Sequence, residues 1–134
     1  MRGFLCLYKV QPIVYPFWMA LTPEKKVKNN VVRLLKERGA YYFFPASYGM
    51  GRSGVPDIVC CLHGQFIGIE CKAGNNKPTP LQERELAAIK VAGGLSCVIN
   101  ESNIPQLATM LDLLTENADE QRAETIDGTL AEPP

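Results

Sequence analysis

With 134 residues, 46% of them hydrophobic and 21% charged, the chain is sized for a single globular domain. No apolar run approaches the roughly 18 residues of a membrane-spanning helix, so the sequence predicts no membrane partner. The formal net charge is zero, which excludes a uniformly basic or acidic protein.

The charges are unevenly distributed along the chain. Residues 1–115 hold 13 Lys and Arg against 8 Asp and Glu, a net +5, whereas residues 116–134 hold 1 against 6, a net −5. A basic body is compatible with a polyanionic partner, and an acidic tail can equally serve solubility. The five cysteines are odd in number and irregularly spaced, which predicts free thiols and an intracellular, cytoplasmic setting.

The first predicted element is a helix from Thr22 to about Arg38. Its first residue is a suitable cap, Pro23 suits the first helical position, and Gly39 ends it. Residues 1–18, just before Met19, fit no helix or strand period, and their apolar run is too short for a signal peptide. We therefore expect them to be a dispensable extension. The helix has an apolar stripe at helical spacing: Val27, Val31, Leu34 and Leu35.

Three strands, a helix, a fourth strand and a last helix are predicted to follow. The strands cover residues 41–46, 57–62, 65–72 and 95–100, and the helices cover residues 79–93 and 103–115. This order, α-β-β-β-α-β-α, predicts an α/β sheet flanked by helices. Residues 116–134 are polar, acidic and aperiodic, so a disordered tail is expected after a domain of residues 19–115.

Three charged residues stand out in the hairpin formed by the second and third strands. With His63 and Gly64 as a two-residue turn, Asp57 falls opposite Glu70 and points to the same face. Lys72 lies two residues further on and shares that face. Two opposed carboxylates repel each other, so a cation must hold them. Either Lys72 does so in a salt-bridge cluster at the sheet edge, or a divalent metal such as Mg²⁺ or Mn²⁺ does.

These residues also carry a family resemblance. The chain resembles the PD-(D/E)XK nuclease superfamily, and the wider pattern over about residues 22–100 is similar to its VRR-NUC branch. The pattern consists of an early helical Glu24, "GVPD" at Gly54–Asp57, "IECK" at Ile69–Lys72, and Gln82 opening the next helix. The resemblance implies a restriction-endonuclease-like αβββαβ core with a mixed four-stranded sheet.

The resemblance implies metal-dependent hydrolysis of a phosphodiester. Asp57, Glu70 and the backbone carbonyl of Cys71 would bind Mg²⁺ or Mn²⁺, and Lys72 would orient water or stabilise developing negative charge. Glu24, expected on the inward face of the first helix, would join the metal site. Its position in the first turn is equally suited to a carboxylate that stabilises the helix by interacting with the helix dipole. Gln82 would contact the site or the nucleic acid, although with Thr79 it also forms a capping box.

Several basic residues are candidates for holding the phosphate backbone, and each is also an ordinary surface charge. Arg52 is the best placed, because it lies in the glycine-rich loop before Asp57. Tyr48 in the same loop could stack on a base or pack against the protein. The remaining candidates are Lys25, Lys28 and Lys77.

Two other signals are discounted. "GMGRSG" at Gly49–Gly54 matches a dinucleotide-binding glycine pattern, but a proline and a strand follow where a helix is needed, so no nucleotide cofactor is expected. Cys60, Cys61, His63 and Cys71 lack the paired spacing of a zinc site, and adjacent strand cysteines point to opposite faces.

Two classes of function remain open at this point. The first is a small stand-alone metal-dependent nuclease that cuts DNA, selective for branched DNA such as a four-way junction, and working as a homodimer in a bacterial or phage-infected cell. The dimer follows from the resemblance alone. The second is a non-catalytic nucleic-acid-binding module that retained the fold. A toxin-like or restriction-type nuclease is a further variant of the first.

Overall fold

The structure is a computed structural model that describes residues 21–46 and 49–129. The predicted extension of residues 1–18 and the predicted base-stacking Tyr48 lie outside these residues. The helices are α1 Pro23–Glu37, α2 Pro80–Val91 and α3 Ile104–Thr129, and the strands are β1 Tyr41–Phe43, β2 Ile58–Leu62, β3 Gln65–Cys71 and β4 Leu95–Ile99. This order is the one that the sequence predicts. None of the described helices is long and apolar enough to cross a membrane.

The four strands form one mixed sheet in the order β1-β2-β3-β4. The first two pairings are antiparallel, and β3 with β4 is parallel. The β3–α2–β4 connection is a crossover, as parallel neighbours require. The predicted mixed α/β sheet flanked by helices is confirmed.

The turn chemistry fixes the register of the β2–β3 hairpin. His63 and Gly64 both have positive φ, at 50° and 80°, as a two-residue hairpin turn of type I′ requires. Leu62 therefore pairs with Gln65, and Ile58 with Ile69, as predicted. The next position in this register brings Asp57 opposite Glu70.

The sheet has one apolar and one mixed face, because side chains alternate along each strand. The apolar face packs against α1 and α3 and forms the main core. Its buried strand residues are Ile58, Cys60, Leu62, Ile67, Ile69, Cys71 and Ile99. The α1 stripe of Val27, Val31, Leu34 and Leu35 is buried against them, as predicted.

Helix α2 covers part of the mixed face, which contains Glu70. A close approach at Gly68 makes this packing possible. A Cβ atom there would lie 2.5 Å from Cδ1 of Ile89 and 3.0 Å from Cγ of Pro56. The space beside the charged residues is thus filled by α2 and by the chain that leads into Asp57.

The C-terminal helix differs from the prediction. We expected a helix over residues 103–115 and disorder from 116, but α3 continues to Thr129. Its last fully buried residue is Leu111, and residues 119–126 are exposed. The extension has no apolar stripe, so periodicity gave no signal. Its Ala, Glu, Gln and Arg residues favour a helix through intrinsic propensity.

Candidate active site

Asp57 is held at the start of β2 by the backbone of the neighbouring strand. Its Oδ2 accepts a hydrogen bond from the amide of Cys71 at 2.9 Å. Its Oδ1 lies 3.9 Å from Nζ of Lys28 on α1. One carboxylate oxygen is thus fixed by the backbone of β3, while the other faces the ammonium group of Lys28.

Glu70 is the most unusual side chain of the site, because it is charged and only 1% exposed. Its Oε1 accepts a hydrogen bond from Nε2 of Gln82 at 2.6 Å and lies 2.9 Å from Nζ of Lys72. Its Oε2 is buried and has no hydrogen-bond partner. Burial raises the pKa of Glu70, the charge of Asp57 adds to the rise, and Lys72 only partly offsets it.

Lys72 sits beside Glu70 with its side chain 12% exposed. Burial alone would lower the pKa of Lys72. The hydrogen bond and charge of Glu70, together with the charges of Glu24 and Asp57, outweigh burial, so its pKa is raised. Lys72 therefore carries its positive charge at neutral pH.

Gln82 contacts both its own helix cap and Glu70. Its Oε1 accepts from the amide of Thr79 at 2.8 Å, and its own amide donates to Oγ1 of Thr79 at 3.3 Å, which is a capping box. Its Nε2 at the same time donates to Glu70. The Gln82 side chain therefore both caps the N-terminus of α2 and donates a hydrogen bond to the buried Glu70 carboxylate.

A divalent cation fits this arrangement. Asp57 and Glu70 present carboxylate oxygens from neighbouring strands, and the orphaned Oε2 of Glu70 needs a positive partner. Oxygen donors suit Mg²⁺ or Mn²⁺. Among the described residues, no three His, Cys, Asp or Glu side chains gather tightly enough to form a complete site by themselves.

Glu24 lines a cavity next to Asp57. It is exposed, which differs from the expected inward position, because it lies in the first turn of α1, before the first buried residue of the stripe, Val27. The cavity measures about 470 Å³, and its wall includes Asp57. Nζ of Lys28 lies 4.5 Å from the ring centroid of Phe44 there. The other lining residues are Thr22, Lys25 and Asn29.

Two of the predicted phosphate contacts, Lys25 and Lys28, thus line a cavity that ends at Asp57. Lys77 is exposed in the loop between β3 and α2, and no contact places it at this cavity. Arg52 is engaged elsewhere, since its guanidinium donates to Glu85 through Nε at 2.9 Å and Nη2 at 3.1 Å. Its phosphate role stays a prediction.

Glu85 is a residue that sequence reasoning missed. Its side chain is 7% exposed, and the hydrogen bonds from Arg52 hold the pKa of Glu85 below its ordinary value. A signal was present in the sequence. Glu85 lies at helical spacing between Gln82 and Ile89 and beside Leu86, on the face of α2 that packs on the sheet.

The cysteines occupy two sides of the sheet, as the strand period predicts. Cys60 and Cys71 are buried in the apolar face, and burial raises the pKa of each thiol to about 12. Cys61 is exposed on the other face. Buried thiols of this kind are unreactive.

Fold and site together define a nuclease of the PD-(D/E)XK type: a mixed sheet that carries an aspartate and a Glu-x-Lys element at adjacent strands. Residues 24–94, just over half of the chain, match the family model described as archaeal Holliday junction resolvase (Hjc). The chain therefore belongs to this family.

Two individual proteins are similar to it. A candidate nuclease, p44, of Acyrthosiphon pisum secondary endosymbiont phage 1 is 34% identical over 92 residues, which cover 66% of this chain and 95% of that protein. A solved structure of a VRR_NUC domain is 27% identical with a TM-score of 0.53, and the match covers 72% of this chain and 97% of the other. Both agree with the VRR-NUC resemblance of the sequence.

Proposed function

We propose that this chain is a Mg²⁺- or Mn²⁺-dependent endonuclease that hydrolyses phosphodiester bonds in DNA, with four-way junctions as its preferred substrate. The observation that carries the metal dependence is the buried, unpartnered Oε2 of Glu70 opposite Asp57. The resolvase family model supports the choice of branched DNA.

The protein groups divide the work as follows. Asp57 and Glu70 would supply the metal ligands together with the backbone carbonyl of Cys71, and Glu24 would contact the ion directly or through water. When bound, the ion polarises the scissile phosphate and lowers the pKa of the attacking water. Gln82 fixes the orientation of Glu70.

Lys72 supplies a permanent positive charge beside the reaction centre. Its raised pKa keeps it protonated, so it orients the water and stabilises the negative charge that develops on the phosphate. Lys25 and Lys28 line the cavity that includes Asp57, and they would hold the phosphate backbone of the substrate. Lys77 and Tyr48 are also proposed as contacts with the nucleic acid.

A homodimer would place two such sites on the two strands of a junction. An apolar groove of about 550 Å³ supports this assembly, because Phe43 and Phe66 line it and are each about half exposed. We expect Phe66→Ser to give monomers by light scattering and to uncouple the two cuts. The four free cysteines of the described residues suit the proposed setting in the cytoplasm of a bacterial or phage-infected cell.

The experiment that tests the proposal compares a synthetic four-way junction with a linear duplex of the same sequence, in Mg²⁺, Mn²⁺ or chelator. We expect cleavage that depends on the metal and is faster on the junction. Asp57→Ala and Lys72→Ala should abolish this cleavage. The matched control is Glu83→Gln, because Glu83 is an exposed carboxylate on α2. Tight binding without product in any metal would instead indicate a non-catalytic binding module.

A further inference from the structure

An ion pair ties the glycine-rich loop of residues 49–54 to α2. Arg52 in the loop donates two hydrogen bonds to the two oxygens of Glu85, at 2.9 and 3.1 Å. This side-on geometry fixes orientation as well as distance. The two partners differ in exposure, since the Arg52 side chain is 71% exposed and that of Glu85 only 7%.

The loop backbone lies directly on the first turn of α2. Gly54 has φ +79°, and a Cβ atom there would lie 2.5 Å from the carbonyl carbon of Leu81 and 2.9 Å from the nitrogen of Gln82. Only glycine allows this approach. The loop therefore touches the same turn from which Gln82 reaches Glu70.

The chain then runs straight into the site. Pro56 is buried, and its Cγ would lie 3.0 Å from a Cβ atom at Gly68. Asp57 is the next residue. Residues 52–57 are thus held at one end by the ion pair, in the middle by α2, and at the other end by β3.

We propose that Arg52 and Glu85 are positioning residues: their ion pair sets the distance between Asp57, at the end of the loop, and Gln82, which orients Glu70. The inference rests on the proposed function for its catalytic readout. It differs from the predicted phosphate role of Arg52, because it assigns Nε and Nη2 of that side chain to Glu85. Releasing it would leave Glu85 buried without its main partner, with only Arg84 at 3.5 Å.

The two roles of Arg52 predict opposite behaviour for Glu85→Gln. For a positioning pair, kcat on the junction falls about tenfold or more, because small displacements of reacting groups are costly. KM, and the dissociation constant for DNA measured with Ca²⁺ in place of Mg²⁺, stay within about twofold. For a phosphate contact, Glu85→Gln frees Arg52, so DNA binds more tightly and kcat does not fall.

A charge exchange provides the second variant. Arg52→Glu combined with Glu85→Arg keeps one cation and one carboxylate at the same two positions. We expect it to recover a substantial part of the kcat that Arg52→Glu alone loses. No recovery, with DNA binding weakened in both, would overturn the proposal in favour of a direct phosphate contact.

Hydrogen exchange tests the ion pair independently of catalysis. Glu85→Gln is expected to speed exchange of the amides of residues 49–54 and of the first turn of α2. The matched control is Asp112→Asn, which removes a similar side-on pair with Arg38 (2.7 and 3.2 Å) between α1 and α3. The control should leave loop exchange and kcat unchanged. Unchanged loop exchange in Glu85→Gln would overturn the proposal even if the wild type cleaves no DNA.

Discussion

Replacing Glu70 by glutamine should make the metal-free protein more stable while it abolishes cleavage. The wild-type side chain is 1% exposed, charged, and has an unpartnered oxygen. A buried polar group without a partner costs about 1–3 kcal/mol. Glutamine keeps an acceptor for Gln82 and Lys72 and removes the buried charge. Its NH2 group takes the unpartnered position of Oε2 and Lys72 loses its counter-ion, so we expect a net gain only near the lower limit, about 1 kcal/mol.

The gain corresponds to a rise of about 4 °C in Tm for a domain of this size. The assay is thermal unfolding in chelator and in excess Mg²⁺. At a free Mg²⁺ concentration of 100 times its dissociation constant, the wild type should gain about 2.7 kcal/mol, whereas Glu70→Gln should gain almost nothing. A lower Tm than the wild type in chelator, or an undiminished response to Mg²⁺, would refute the reasoning.

The sign of the pH dependence follows from the raised pKa of Glu70. The folded chain holds this proton more tightly than the unfolded chain. The associated stability is therefore complete below the ordinary glutamate pKa and is lost as pH rises through the raised folded value. The Tm advantage of Glu70→Gln should thus be small at about pH 4, where the ordinary glutamate is largely protonated, and should grow to a plateau at higher pH.

Three further outcomes are expected. Lys72→Met should lower single-turnover cleavage by about 10²–10³-fold, while the Mg²⁺-induced rise in Tm persists. Thr79→Ala should lower the free energy of unfolding by about 1 kcal/mol through the lost cap, and it should retain cleavage at temperatures well below its Tm. Gln82→Glu keeps the capping acceptor but repels Glu70, so it should lose both cleavage and the Mg²⁺-induced rise in Tm. Gly54→Ala should lower the free energy of unfolding, measured in urea, by more than about 2 kcal/mol, because the left-handed backbone conformation costs about 1–2 kcal/mol and the added Cβ atom would lie 2.5 Å from Leu81. Gly39→Ala is the control: with φ +68° and no neighbour within 4 Å, it should cost only the backbone strain.

The hairpin shows what the sequence could predict. The positive-φ residues of the turn and the period of two fix which residues are opposed, so the meeting of Asp57, Glu70 and Lys72 follows from local rules. The helix α1 is equally local, since its cap, its proline and its apolar stripe all agree.

The pairing of Arg52 with Glu85 could not be derived in the same way. The partners are 33 positions apart, and their meeting depends on how α2 lies on the sheet. The end of α3 failed for a different reason: its exposed part is helical by propensity, whereas the prediction relied on burial. Sequence patterns located the charged side chains, and tertiary packing decided their partners.

Helix α2 has two buried side chains, Glu85 and Leu86, whereas α1 has four. Segments with little burial open at lower free energy than the domain as a whole. Because the first turn of α2 also carries Gln82, partial detachment of this helix would release Glu70 while the remaining sheet stayed intact. On warming, cleavage should therefore be lost some degrees below the Tm of the whole domain. A bound divalent ion should reduce the difference between these two temperatures.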